Sequence, residues 1–454
     1  MFIPAASRRT ISLGTLHSGQ WAAYWALQRH RFMALRCGRR FGKTEFAMTW
    51  IAQGLVEGQE CAWFAPQHTM WAEVFTALNR RLGPIVDRAS KGDAAMHFKN
   101  GARLDFWSLE NPNAGRSRGY QRVVIDEAAF GKNGALGTDG STMSIWQESI
   151  KPTLFDYGGQ ALVCSNSAGK DPDNFFYEIC TNPASGFHEY HATTLDNPIL
   201  PKRRRNETVE AWLGRREQYL TELREGNDPR VYAQEYLAEF VDWAGAAFFE
   251  RVRLLVDGWP VSYPKSCDYV FAVIDTASKT GTDHDGTAVT FFAYESLNRQ
   301  TPLFILDWDV VQIEGATLEI WLPSVMQRLE ELGAMCRARR GSAGAFIEDK
   351  NSGTILLQQA IKRGLQVHGI DSKLTAMGKD ERAMSVSQYV YRGRVKYTDY
   401  AFEKVMIYKG RSRNHLMEQI EGFRMGDKKS DREDDLLDTF CYGLALSLGN
   451  NEGF

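Results

Sequence analysis

The chain has 454 residues, 43% of them hydrophobic and 24% charged, with a formal net charge of −2. That length exceeds one ordinary core and predicts two or three domains, and no apolar run approaches the ~18–20 residues that a membrane span needs. A near-neutral chain is not a uniformly basic nucleic-acid binder, so any such surface must be local and offset by acidic sites. The seven cysteines contain no Cys-x-x-Cys pair, which argues against a disulfide framework or zinc site and for a reducing compartment. Residues 1–9 carry no signal-peptide core, so secretion is not expected.

In chain order, Leu16-His17-Ser18-Gly19-Gln20-Trp21 leads into a short amphipathic helix. Phe32-Met33-Ala34-Leu35 reads as a buried strand and residues 45–51 as a helix. Between them stands Gly38-Arg39-Arg40-Phe41-Gly42-Lys43-Thr44. A strand, a glycine turn, Gly-Lys-Thr and a helix form the layout of a phosphate-binding P-loop. Backbone N–H groups at the helix start would cradle phosphate, Lys43 would reach the β/γ-phosphates, and the Thr44 hydroxyl would hold Mg²⁺. Cys37 stands where the consensus has its first glycine.

Residues 61–65 predict the next strand, stopped by Pro66, then a helix with Trp71, Val74, Phe75 and Leu78 on one face. Residues 98–107 read as a hairpin turning at Asn100-Gly101. Residues 123–125 and 161–164 are further buried strands, and the alternation with helices predicts a largely parallel α/β sheet. The strand Val123-Val124-Ile125 ends in Asp126-Glu127. In that position Asp126 would bind Mg²⁺ through water and Glu127 would polarise the attacking water as general base.

From residue 196 the texture becomes helical and highly charged. A second α/β unit then opens with residues 269–274, followed by strands at 288–294 and 303–308, a helix at 316–333, a strand at 345–347 and an apolar-striped helix at 436–448. The expected division is 1–199, a helical linker or subdomain at 200–260, and 261–454. Asp275 ends one strand of the second unit and Glu348-Asp349 another, while Asp434, Asp435 and Asp438 open the last helix. Carboxylates from two strand ends and one helix form a ribonuclease-H-like arrangement, suited to two hard cations and in-line phosphodiester cleavage. The spacing leaves open which of the three aspartates, and which of Glu348 and Asp349, are ligands. Placing the stripe Leu437, Phe440, Leu444 and Leu448 inward puts Asp434 nearer the core than Asp435. Lys202 to Arg205, Arg337 to Arg340 and Lys409 to Arg413 are candidate phosphate contacts, and His284 reads as a loop residue.

These motifs together resemble the large subunit of phage terminases. The resemblance rests on Gly38 to Thr44, on Gly115-Arg116-Ser117-Arg118-Gly119-Tyr120 running into Asp126-Glu127, and on Ser165-Asn166-Ser167 with Gly169-Lys170, similar to the family's coupling motif. In the second half it rests on Ile274-Asp275, Glu348-Asp349-Lys350-Asn351-Ser352-Gly353, Gly378-Lys379-Asp380-Glu381-Arg382-Ala383 with Gly393-Arg394-Val395, and Asp434 to Asp438. It implies a P-loop ASCE-type ATPase domain followed by a ribonuclease-H-like nuclease domain. Gln20 would contact adenine; Gly38, Arg40, Gly42, Lys43, Thr44 and Asp126 would surround ATP and its Mg²⁺. Arg39, with Arg40 as the alternative, is similar to an arginine finger acting in cis or in trans. Asp275, Glu348, Asp435 and Asp438 would hold two Mg²⁺ or Mn²⁺ ions. Glu433 departs from the family, where His or Lys is common. The implied partners are double-stranded DNA, the portal of the procapsid, a small terminase subunit and further copies of the chain, as a pentamer on the portal and a monomer in solution. The implied setting is the host-cell cytoplasm, with no membrane. Two other readings share part of the pattern: a helicase–nuclease of repair or defence, which lacks its second motor core here, and a non-catalytic DNA-binding or capsid-docking protein, which would not need Lys43, Glu127, Asp275 and Glu348.

Overall fold

The computed structural model describes residues 11, 13–243, 248–276, 286–312, 318–349, 352–426 and 433–449. His284, Lys350 and Asn351 lie outside them. Two compact units emerge, Met1–Arg224 with Pro229–Asp242, and Glu225–Asp228 with Trp243–Phe454. The charged segment at 200–260 carries the helices Val209–Glu225 and Pro229–Glu235.

The first unit is built on β1 (Phe32–Cys37), β2 (Glu60–Ala65), β3 (Val86–Ser90), β4 (Ala95–Phe98), β5 (Arg103–Ser108), β6 (Arg122–Asp126), β7 (Gln160–Ser165) and β8 (His188–Ala192). Their order is β3-β4-β5-β2-β6-β7-β1-β8. Neighbours from β5 to β8 pair in parallel, and β3 and β4 extend the edge antiparallel. The central strands are apolar throughout because helices cover both faces. Alternate residues feed opposite cores. Met33, Leu35, Trp63, Val124 and Leu162 join one cluster, while Ala34, Phe64, Ile125 and Val163 join the other. β7 lies between β1 and the acidic strand β6, the inserted strand of an ASCE-type sheet. Helix α1 (Ser18–Leu27) precedes β1, and α2 (Lys43–Val56) follows it.

The second unit has β9 (Tyr269–Asp275), β10 (Thr287–Tyr294), β11 (Leu303–Val311), β12 (Ser342–Ile347), β13 (Val367–Gly369) and β14 (Val395–Tyr397), ordered β13-β12-β9-β10-β11-β14. β9, β10 and β11 form an antiparallel meander, and β12 and β13 add in parallel beside β9. This is the ribonuclease-H-like order. The helix Leu318–Met335 places Leu322, Val325, Leu329 and Leu332 in a core with Val270, Ala272 and Ile274. The C-terminal helix Asp435–Leu448 packs on β9 and β10.

β3, β8, β13 and β14 carry no sequence signal above. They are short or sit near a sheet edge, where half-polar runs such as His188–Ala192 do not alternate cleanly.

Gly443 sets the approach of the last helix to the sheet, because a Cβ there would overlap the Phe292 ring on β10. Gly443→Ala is expected to destabilise the second unit by about 1–3 kcal/mol, the usual range for overpacking. Thermal melts of the two proteins check this, and an unchanged melting point would show that the ring yields freely.

Candidate active sites

The first site is built where β1 hands over to α2. Arg40 and Gly42 adopt left-handed backbone, φ 65° and 97°. Gly38 is required by crowding: a Cβ there would collide with the Tyr236 carbonyl and lie 2.7 Å from the Thr194 nitrogen. Cys37, by contrast, is the buried last residue of β1. Strand backbone accepts any such residue, so the missing consensus glycine leaves the turn intact. No side chain caps α2, so N–H groups at its start are left for an anion.

Opposite this turn stands the end of β6. Lys43 Nζ lies 2.9 Å from Glu127 Oε1. Burial works against the ammonium, but Glu127 and Asp126 outweigh it and raise its pKa. Asp126 is 6% exposed. Its own burial, then the Glu127 charge, push its pKa up to about 6 against the pull of Lys43. Thr44 and Cys164 also hydrogen-bond to Asp126. Glu127 has φ 53°, a left-handed conformation uncommon for a non-glycine residue. Ser165 Oγ lies 3.4 Å from Glu127 Oε2.

The loop is held from behind. Gln20 Nε2 donates to the Gly42 carbonyl at 2.9 Å, and its Oε1 accepts from His17 N at 3.0 Å. Gln20 is therefore buried against the P-loop itself. Thr194 Oγ1 donates to the Arg39 carbonyl at 2.6 Å and Asn197 Nδ2 to the Arg40 carbonyl at 2.7 Å. The Arg39 side chain forms an ion pair with Glu235, which also receives Asn166 Nδ2 at 3.3 Å. Thr194, Asn197 and Glu235 escaped the sequence reading, since nothing in local spacing links residues 155–196 positions downstream to a turn at 38–42. In the Gly115–Tyr120 segment Arg116 meets Ser149 and Glu148, and Arg118 lies 3.6 Å from the buried Asp105.

The second site gathers at the ends of β9 and β12. Burial, then the charges of Asp438, Glu348 and Asp435, raise the Asp275 pKa well above the ordinary carboxylate range. Glu348 accepts from the Tyr442 hydroxyl at 3.0 Å. Asp349 is exposed and turned toward Gly369 on β13, so Glu348 is the member of the pair that joins the cluster. Asp435 is 5% exposed and accepts from Gly286 N at 3.0 Å. Asp434 is more exposed and pairs with Lys379. The inward stripe therefore misordered these two. The helix starts at Asp435, and Asp434 stands outside it with φ −145° and ψ 4°, so helical spacing does not extend to it. Burial raises the Asp438 pKa while Arg382 and Lys379 pull it down. Among the described residues no three His, Cys, Asp or Glu side chains already form a metal cage. Oxygen donors with raised pKa values are nevertheless the donor set that a hard divalent cation takes.

Of the basic runs, residues 202–205 are exposed, Arg339 is tied to Asp268 and Glu295, and Lys409-Gly410 turns a small hairpin formed by Met406–Tyr408 and Arg411–Arg413.

Residues 37–254 match the family model for the terminase large subunit, T4likevirus-type, N-terminal. This segment is similar to the N-terminal part of the terminase large-subunit family. The terminase large subunit of Thermus virus P23-45 is 28% identical over 45% of this chain and 46% of its own length. That of Thermus phage G20c is 28% identical over 43% of each. The chain thus spans about half the length of the curated relatives it matches. The large terminase of a thermophilic bacteriophage, solved in complex with ADP, has a TM-score of 0.65 at 13% identity, covering 95% of this chain and 99% of that one. The complex of the same terminase with ATP-gamma-S gives 0.63 at 13% identity, over 94% and 98%. The likeness at that identity is one of fold, and it extends across both units. No helix among the described residues is long and apolar enough to cross a membrane.

The raised Asp126 pKa has a consequence for stability. Its folded value of about 6 lies above the unfolded carboxylate value. The folded state therefore binds the proton more tightly, and stability is lost as pH rises through roughly 4 to 6. In EDTA and without nucleotide, Asp126→Asn should gain on the wild type across that window by on the order of 2–3 kcal/mol. Paired melting curves at pH 4 to 7 check this, and a constant difference would mean that Asp126 titrates normally.

Proposed function

We propose that the chain is the motor and nuclease of a viral DNA-packaging machine. The first unit hydrolyses ATP to drive double-stranded DNA through a portal into a procapsid. The second unit cuts concatemeric DNA to start and end packaging. The observation that carries this is the pairing, in one chain, of Lys43 and Thr44 facing Asp126 and Glu127 with the carboxylates of Asp275, Glu348, Asp435 and Asp438. The family match over 37–254 supports the first half, and the fold shared with the thermophilic bacteriophage terminase supports their coexistence.

In the first site the incoming β/γ-phosphates compete with Glu127 for Lys43. Once the lysine turns to phosphate, Glu127 is released to orient and deprotonate the attacking water. Thr44 and Asp126 would hold the magnesium that accompanies ATP, Asp126 through water. Gly38, Arg40 and Gly42 form the backbone cradle, and Gln20 supports it beside the adenine. Arg39 must leave Glu235 to reach phosphate, in its own site or a neighbour's. Asn166 touches the same Glu235, so that exchange would be felt at the coupling segment.

In the second site Asp275, Glu348, Asp435 and Asp438 would hold two Mg²⁺ or Mn²⁺ ions. Bound there, such ions would supply Lewis-acid charge to the scissile phosphate and lower the pKa of water. The carboxylates orient them, and the exposed basic hairpin at 406–413 would contact the DNA backbone. The partners expected are double-stranded DNA, the portal protein, a small terminase subunit and further copies of this chain, five on the portal and one in solution. The setting is the host cytoplasm.

The test is a pair of substitutions. Lys43→Ala should abolish ATP hydrolysis and leave metal-dependent nicking of plasmid DNA intact. Asp275→Ala should do the reverse. Loss of both activities in either folded variant would sink the assignment of two separate sites.

A further inference from the structure

Two residues touch the carboxylates of the second site from behind. Arg382, on the helix Lys379–Tyr391, is only 5% exposed. Its Nη1 donates to Asp438 Oδ1, and its Nη2 donates to the Met377 carbonyl at 3.1 Å. The guanidinium lies over the Tyr442 ring, 4.2 Å from the centroid. Tyr442 is fully buried, four residues beyond Asp438 on one helix face, and donates to Glu348 Oε1.

Burying an arginine is unfavourable, and here Nε has no hydrogen-bond partner. A methionine would fill the same space without that penalty, because buried ion pairs are weak stabilisers. The charge therefore has a use beyond packing. The contact to Asp438 is made through one oxygen, which leaves the other for a cation. Arg382 is itself anchored, by the Met377 carbonyl and the Tyr442 ring, so it cannot swing away with the aspartate. Glu348 is held in the same fashion, through its Oε1, by the hydroxyl of that ring. Residues that fix the orientation of ligating carboxylates commonly change metal affinity 10–100-fold when removed.

We propose that Arg382 and Tyr442 form one brace that positions Asp438 and Glu348 for divalent cations. They are positioning residues, with no contact to DNA required. The inference rests on the reading of this cluster as the cleavage site. The competing possibility is that Arg382 occupies the place of the cation and opposes its binding, and the two differ in sign.

The experiment measures Mn²⁺ binding to the full chain by electron paramagnetic resonance, without nucleotide or DNA. The component lost in Asp275→Asn defines the site. Tyr442→Phe and Arg382→Gln should each weaken that component about tenfold. The double variant should weaken it by less than the product, since loss of the Arg382 guanidinium already loosens the ring that carries the Tyr442 hydroxyl. Tyr442→Phe removes only a hydroxyl, so it keeps the test valid if Arg382→Gln fails to fold, and its metal-free melting point should stay with the wild type. Unchanged Mn²⁺ affinity in Tyr442→Phe, or tighter binding in Arg382→Gln, overturns the brace and leaves the cleavage site standing. Retained Mn²⁺ binding in Asp275→Asn removes the site and the brace together.

Discussion

The ammonium of Lys43 meets the Glu127 carboxylate 2.9 Å away at the carboxyl edge of the first sheet, and the rest of that unit is arranged to keep it there. The two residues come from turns after β1 and β6, with β7 between those strands. Burial would drive the lysine toward neutrality, and only the paired acids keep it charged. Removing Glu127 would leave the largely buried Lys43 facing Asp126 alone, and breaking such a pair costs more than never having built it. The cradle behind it is fixed by contacts that stop it collapsing inward. Gln20 holds Gly42, Thr194 and Asn197 hold the Arg39 and Arg40 carbonyls, and Glu235 holds the Arg39 side chain. On the proposed reading, a phosphate would displace Glu127 from Lys43 without rebuilding the loop.

The second unit meets the same constraint with the opposite balance. Several carboxylates are gathered around Asp275, and among the described residues no lysine pairs with Asp275 as Lys43 pairs with Glu127. The excess negative charge is relieved in two ways. Asp275 is driven toward its neutral form, and cations at the border pair with two of the aspartates, Arg382 with Asp438 and Lys379 with Asp434. A cluster strained in this manner favours divalent cations, because they neutralise several carboxylates at once. The first unit differs in that a lysine already stands against its acids, and on the proposed reading that lysine would turn to an anionic ligand.

Much of this was readable in the chain. The P-loop turn, the acidic end of β6 and the alternation of strands and helices all rest on local rules. The apolar runs were continuous because both faces of each sheet are covered, so those strands stood out strongly. Half-polar edge strands such as β8 and β13 did not stand out. Cys37 looked like a defect in the motif and proved to belong to the strand before the turn. The ordering of Asp434 and Asp435 failed at a helix boundary, where periodicity no longer governs the backbone. Tyr442 carried a signal, its spacing of four from Asp438, but an apolar helix with an aromatic residue reads first as core.

The sequence by itself determined which chemical groups the protein owns and the order in which they arrive, since motif and periodicity are local properties of the chain. Tertiary structure alone decided which groups meet. Glu235 reaches Arg39, Glu348 rather than Asp349 faces the acid cluster, and Arg382 reaches Asp438 across 56 residues. Those contacts depend on strand order and helix rotation in three dimensions. Partner choice follows from packing a sheet against its helices, and no spacing rule encodes it.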